Sequence, residues 1–280
     1  MTAPGNWAGH PLLDTVASLW PTARVSISPG RRAPGPKELI YVPNSDDPRL
    51  LVPAGHRRAA SAALLRFNHF LPIGERVRRV LAAGGLRLGA DRLLAHRIAL
   101  IERETAPDSI ETYLSGTLGQ DVVVSLGIGL ARATQKPVLQ AFDRSGRSLA
   151  FVKIGDNAHT RELVRAESEA LRRLAQTSWT ALAVPGMVHA GSWHSFQVLV
   201  MSPLPVRARP ALRRSISVPP VKSMRELARA FQEGPQVVAT SELMQRLRAD
   251  VRGITDEATA SMYCQALDRI VDRYRHTVLD

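Results

Sequence analysis

Two residues of opposite charge stand where a fold would place them together. The stretch LAFVKIGDNAHTRELVRAESEALRRL, residues 149–174, ends an apolar strand on Lys153 and carries Glu167 on the inner side of the helix that follows. An ammonium held by a carboxylate across a short link is a device for presenting positive charge to nucleotide phosphates. Each residue alone has a plainer reading: a lysine at a strand edge, a glutamate bordering an apolar stripe. Together they fit a phosphate clamp as well as they fit the plainer readings.

The elements that must position them follow from spacing. Leu149–Ile154 reads as a strand, and side chains alternate faces along a strand. Leu149, Phe151 and Lys153 therefore share one face. Asp143–Arg147 reads as a tight hairpin loop, and Val138–Phe142 as the strand before it. Thr160 is expected to cap the helix, with Glu162 at the positive end of its dipole. Positions three and four apart share a helix face. Leu163, Glu167, Ala170, Leu171 and Leu174 are expected inside; Glu162, Arg165, Glu169, Arg172 and Arg173 outside. A carboxylate inside the stripe needs a partner, and Lys153 is the candidate.

The flanking segments extend the pattern. Val122–Gly129 reads as a strand running into a glycine turn with Gly127 and Gly129, which leads through Ala131–Thr134 to the Val138 strand. A Gly-x-Gly of this length equally suits an ordinary tight turn. Val184–Gly191 and Ser195–Met201 read as two more strands, the second ending in Ser202-Pro203-Leu204-Pro205. Pro203 has no N–H, so Ser202 offers a carbonyl and Leu204 an N–H on either side of it. Any strand stopped by prolines would look the same.

Residues 121–205 resemble the N-terminal lobe of the aminoglycoside phosphotransferase-like family, which shares the protein-kinase fold. KPVLQAFDRSGRSLAFVKIG, RAESEALRRL and VLVMSPLPV carry the match. More narrowly, the whole chain resembles uncharacterised bacterial phosphotransferase-family proteins with an added N-terminal region. The resemblance implies ATP binding, with Lys153 on the α- and β-phosphates and Glu167 orienting it. It implies that the loop Ser125–Thr134, with Gly127 and Gly129, covers the phosphates. Met201 would line the back of the adenine pocket, and Ser202 and Leu204 would form the adenine hinge. The implied activity is ATP-dependent phosphoryl transfer to a small-molecule hydroxyl.

That chemistry also needs a second lobe. Its signature is His-Gly-Asp or His-Arg-Asp with a spaced asparagine, then an aspartate for Mg²⁺. No asparagine follows Asn157, and no His-x-Asp follows Leu204. The helix around Ala266–His276 resembles the one just before the catalytic loop. The expectation is thus a phosphotransferase cut short and inactive as given, with no catalytic residue assigned and Mg²⁺ bound only if the missing lobe is supplied. Two alternatives stand beside it: a nucleotide-binding pseudoenzyme or regulatory, partner-binding module, and a basic nucleic-acid-binding protein.

Composition narrows these. A chain of 280 residues suits one large or two small domains. No apolar run reaches the roughly 18 residues of a membrane span, and Met1–Trp7 lacks a signal-peptide pattern. The single cysteine, Cys264, excludes an internal disulfide and reads as a small core residue of a helix. A reducing cytoplasm is the expected home. Net charge is +12, and residues 207–229 hold seven basic residues against one acid. That stretch has prolines and no aromatics, so it reads as a solvated linker rather than a nucleic-acid surface. Binding that falls steeply with salt would mark the nucleic-acid alternative.

The expected fold class is α+β. An N-terminal α+β extension spans 1–115, with a hairpin from Glu38–Pro43 and Arg49–Pro53, helices over 57–70 and 74–83, and a break at Gly84-Gly85. A kinase-like small lobe with its adenine hinge, an antiparallel sheet plus one helix, spans 116–206. A basic linker covers 207–222. The helical start of an incomplete second lobe covers 223–280, opening on a capping box at Ser223 and Glu226. Met244, Leu247 and Val251, then Met262, Ala266 and Ile270, form apolar stripes there. His56, His69 and His96 have no metal-ligand spacing.

Overall fold

Side-chain alternation along the strands builds the larger sheet of this chain. The computed structural model describes residues 11–29, 37–42, 50–66, 73–90, 96–102, 108–127, 137–204, 220–231 and 236–279. The chain divides into two compact units, residues 1–176 with 184–210, and residues 177–183 with 211–280.

The first unit is mixed α+β. In chain order it has α1 (Pro11–Leu19), β1 (Ala23–Pro29), β2 (Lys37–Val42), β3 (Leu50–Pro53), α2 (Arg57–Arg66), α3 (Ile73–Leu88), β4 (His96–Glu102) and α4 (Ile110–Leu118). Then come β5 (Val123–Gly127), β6 (Val138–Phe142), β7 (Ser148–Gly155), α5 (Ala158–Leu174), β8 (Met187–Trp193) and β9 (Phe196–Met201). All nine strands form one antiparallel sheet, ordered β1-β4-β2-β3-β5-β6-β7-β9-β8.

Period-two alternation gives the sheet two apolar faces. On one, Leu39, Leu51, Leu100, Val124, Leu139 and Val152 pack under Val16 and Trp20, at and beside α1, and Ile110 and Leu114 of α4. On the other, Ile40, Val52, Val123 and Phe142 pack under α2 and α3. Farther along that second face, Leu199 and Met201 pack under Val164 and Leu171 of α5.

Each face also carries a buried charge. On α4, the Glu111 carboxylate accepts the Val124 N–H at 3.0 Å and the Trp20 indole N–H at 3.4 Å, and pairs with the Lys37 ammonium. One side chain thus joins α4 to β5, to the end of α1 and to β2. On the other face Arg97 Nη1 donates to Glu38 Oε2 at 2.7 Å, with both side chains fully enclosed.

Several boundaries differ from the sequence reading. The division drawn at 115/116 lies inside one sheet, where β3 pairs directly with β5 at Leu50–Gly127 and Leu51–Leu126. The hairpin expected near residue 40 is β2 with β3; its turn lies outside the described residues. Strands β1 and β4 were not anticipated. Helix α3 runs through Gly84-Gly85. Two mid-helix glycines cost about 1 kcal/mol each against alanine, but the flanking Ala83 and Leu86 are buried in the core and hold the turn. The chain instead leaves the helix at Gly89, in a left-handed conformation that suits glycine.

The second unit contains α6 (Val221–Ala230), β10 (Gln236–Val237) paired with β11 (Val278–Leu279), a 3₁₀ turn at Val238–Thr240, α7 (Glu242–Arg252) and α8 (Glu257–Tyr274). Ser241 and Asp256 cap α7 and α8 by accepting the N–H groups of Met244 and Thr259. Its small core is Val238, Met244, Val251, Leu267 and Val271. The stripe expected from Met262 and Ile270 faces solvent; the inner residues of α8 lie one position later, at Leu267 and Val271. Cys264 is exposed rather than a core residue.

The expected capping box at Ser223 and Glu226 does not form. The helix is capped three residues earlier, at Pro220, whose missing N–H is not needed at a helix start. Both side chains therefore turn outward from the helix. The Ser223 hydroxyl donates to the Ala181 carbonyl at 2.8 Å. The Glu226 carboxylate accepts the Thr180 N–H at 2.6 Å, its hydroxyl at 2.7 Å and the Ala181 N–H at 2.8 Å. The linker expected at 207–222 lies outside the described residues except for its last three. No described helix is long and apolar enough to cross a membrane.

Candidate functional site

The site is built at the junction of β7 and α5. Strand β7 ends on Gly155, and only Asp156 and Asn157 separate it from the helix. A Cβ at 155 would stand 2.6 Å from the Arg161 backbone, so glycine lets the strand end meet the helix start. Asn157, not Thr160, is the N-cap: its Oδ1 accepts the Thr160 N–H at 2.9 Å, and Thr160 Oγ1 accepts the Asn157 N–H at 3.0 Å. The cap lies three residues before the expected one, because Asn caps at least as well as Thr and Thr160 serves as the reciprocal partner.

This cap fixes the rotation of α5. Its buried residues are Thr160, Val164, Ser168 and Leu171, while Ala170 is exposed. Glu167 therefore borders the inner stripe rather than interrupting it. There it meets Lys153: Nζ donates to Glu167 Oε1, with side chains 30% and 29% exposed. At that exposure both groups keep water, and the desolvation cost expected of a fully buried carboxylate does not arise.

The sheet sets what surrounds the pair. Lys153 stands opposite Val138 on β6 and Leu199 on β9, and Val138 stands opposite Gly127. Gly127, Val138, Lys153 and Leu199 thus form a row across four strands. The next row on that face is Ser125, Gln140, Phe151 and Met201. Gly127 is a strand residue here; a Cβ on it would press the Val138 carbonyl at 3.2 Å. Gly129 and most of the loop expected over the phosphates lie outside the described residues.

At the far end, Met201 is buried against α5. Ser202 donates its N–H to the Gly186 carbonyl at 2.7 Å and accepts the Gly186 N–H on Oγ at 2.8 Å. These bonds pin the segment that carries Leu204, which is partly exposed. The structure therefore brings Gly127, Lys153, Glu167 and Met201 to one face, with Ser202 and Leu204 directly beyond it. Sequence reasoning placed Ser125 at the start of the phosphate loop, whereas it is a buried strand residue, and it gave Gln140 no role. The one signal for Gln140 was a single amide within the apolar run Val138–Phe142.

An open cavity of about 570 Å³ lies on the opposite face, lined by Asp108, Tyr113, His189 and Trp193 among others. Its polar groups engage one another: Tyr113 Oη with His189 Nε2 at 2.9 Å, and Asp108 Oδ2 with His194 Nε2 at 2.7 Å. Tyr113 also stacks on Trp193, and burial pushes its hydroxyl pKa up. These groups are paired with one another, as Lys153 is with Glu167. Among the described residues, no three His, Cys, Asp or Glu side chains gather as a metal ion would require.

No protein-family model, curated protein or solved structure matches this chain.

Proposed function

We propose that the first unit binds a nucleotide, ATP, with its phosphates at Lys153, and that the chain is a kinase-like phosphotransferase-family protein directed at a small-molecule hydroxyl. The observation that carries this reading is the Lys153–Glu167 pair joining β7 to α5. The element order supports it. Two strands, a hairpin to the lysine strand, a helix and two further strands is the order that the resemblance implies, and it is the order of β5, β6, β7, α5, β8 and β9.

The residues fit the phosphates of ATP. Lysine binds phosphate as a compact point charge on a flexible stem. Glu167 limits where that charge points. ATP supplies the transferable phosphoryl group, and such transfer rests mostly on positioning and electrostatics. Here Lys153 would hold and orient phosphate oxygens. The reading assigns no catalytic base and no magnesium ligand among the described residues.

A second reading is a nucleotide-binding regulatory module, in which the same Lys153–Glu167 pair would hold the phosphates. Calorimetry and thermal unfolding with Mg-ATP test the step common to both. Binding should raise the melting temperature, and Lys153→Ala or Glu167→Ala should abolish the rise. A folded chain that ignores Mg-ATP, or a Lys153→Ala variant that binds as well as the parent, would sink both readings.

A further inference from the structure

Two strands of the sheet bury polar side chains that nothing among the described residues satisfies. Ser125 on β5 and Gln140 on β6 are 0% and 1% exposed. Ser125 Oγ, Gln140 Nε2 and Gln140 Oε1 have no hydrogen-bond partner there. The two residues stand directly opposite each other in the ladder and yet do not bond. A buried unmade hydrogen bond is costly, and an aliphatic residue at 140 would avoid the cost.

Their place in the sheet says what would use them. Gln140 lies between Ser125 and Phe151 in the row next to that of Lys153. The row is two residues along, which is roughly 7 Å, and it lies toward Met201 and the segment Ser202–Leu204. A nucleotide with phosphates at Lys153 and its base toward that segment crosses this row. Helix α5 lies on β7, β8 and β9, and α2 on β3 and β5; β6 runs between them. Gly127 and Val138 in the Lys153 row are only half-buried, so that row, unlike the enclosed one beside it, reaches the surface.

We infer that Gln140, with Ser125 beside it, recognises the base of the bound nucleotide through the base's polar edge, with the apolar ring against Phe151. An amide offers an acceptor and donors on neighbouring atoms, matching a base that carries a ring acceptor beside an exocyclic donor. This rests on the nucleotide reading proposed above and adds a base-recognising contact to it.

The test compares Mg-ATP with Mg-tripolyphosphate by calorimetry on the 280-residue chain and on Gln140→Leu. The variant is expected to lose about tenfold in ATP affinity, as one lost polar contact predicts, and to bind tripolyphosphate as the parent does. Thermal unfolding without nucleotide is the second readout. Gln140→Leu should melt no lower than the parent, because it removes two buried unpaired atoms. Equal ATP affinity in parent and variant overturns the inference and leaves the nucleotide reading standing. A variant that melts well below the parent also overturns it, since Gln140 would then be a structural partner. A parent that binds neither probe overturns both.

Discussion

Gly155 and Arg161 stand so close that a Cβ on the first would lie 2.6 Å from the backbone nitrogen and Cα of the second. That approach lets β7 run into α5 through only two residues, and so brings Lys153 under Glu167. The geometry of the charged pair is therefore set by a glycine that touches neither charge.

Gly155→Ala should force the strand end and helix start apart. Inserting one methyl group into a filled site costs about 1–3 kcal/mol. Urea unfolding of the variant should show its midpoint lowered accordingly, with the slope unchanged. A midpoint equal to that of the parent would mean that the junction is slack.

Lys153 and Glu167 should divide stability from binding. At nearly one-third exposure, such a pair contributes at most about 1 kcal/mol to folding. Glu167→Ala should therefore melt close to the parent while losing the stabilisation by Mg-ATP. A variant that unfolds outright would make Glu167 a structural strut, and the clamp reading would lose its support.

The sequence discloses the junction well and its surroundings poorly. Alternation along Leu149–Ile154 and the three-and-four spacing of α5 are local rules, and they suffice to set Lys153 and Glu167 on facing sides. The extent of the sheet is not local. Strands β1 and β4 pair over more than sixty intervening positions, at Ala23–Glu102 through Pro29–His96, and nothing within either strand announces the other. Ser223 and Glu226 mislead for a related reason. Their spacing fits a cap, but their partners, Thr180 and Ala181, are over forty residues away. Gln140 is legible as an oddity in an apolar run, whereas its lack of a partner is not.

The Arg97–Glu38 pair should be among the most sensitive points of the first unit. Both side chains are enclosed, and Glu38 Oε1 has no further partner among the described residues. Removing the cation alone strands a buried carboxylate, at a cost of about 3–5 kcal/mol. Arg97→Ala should lower the urea midpoint by that measure. Arg97→Met combined with Glu38→Leu should recover most of the loss, because two apolar groups need no partners. A single variant costing less than about 1 kcal/mol would show that water reaches the site.

The last expectation concerns acid and the segment Thr177–Ala183. Hydrogen bonds from the Thr180 N–H, then from its hydroxyl and from the Ala181 N–H, hold the Glu226 carboxyl below its ordinary value of 4.5. A carboxylate with a folded value depressed below its unfolded one favours the fold above the unfolded value, and that contribution fades as pH falls through the depressed one. The segment should therefore stay docked on α6 at neutral pH and come away only once pH has fallen below the ordinary carboxyl range. Trp179 reports the event, since its ring lies 6.4 Å from that of Phe231 at the end of α6. The difference in fluorescence between the parent and Trp179→Phe isolates its signal from the other tryptophans. That signal should shift to the red on acidification, and Glu226→Ala should show the shifted spectrum already at pH 7. A Trp179 spectrum that is the same at pH 7 and pH 3, or the same in Glu226→Ala as in the parent, would mean that the carboxylate does not hold the segment.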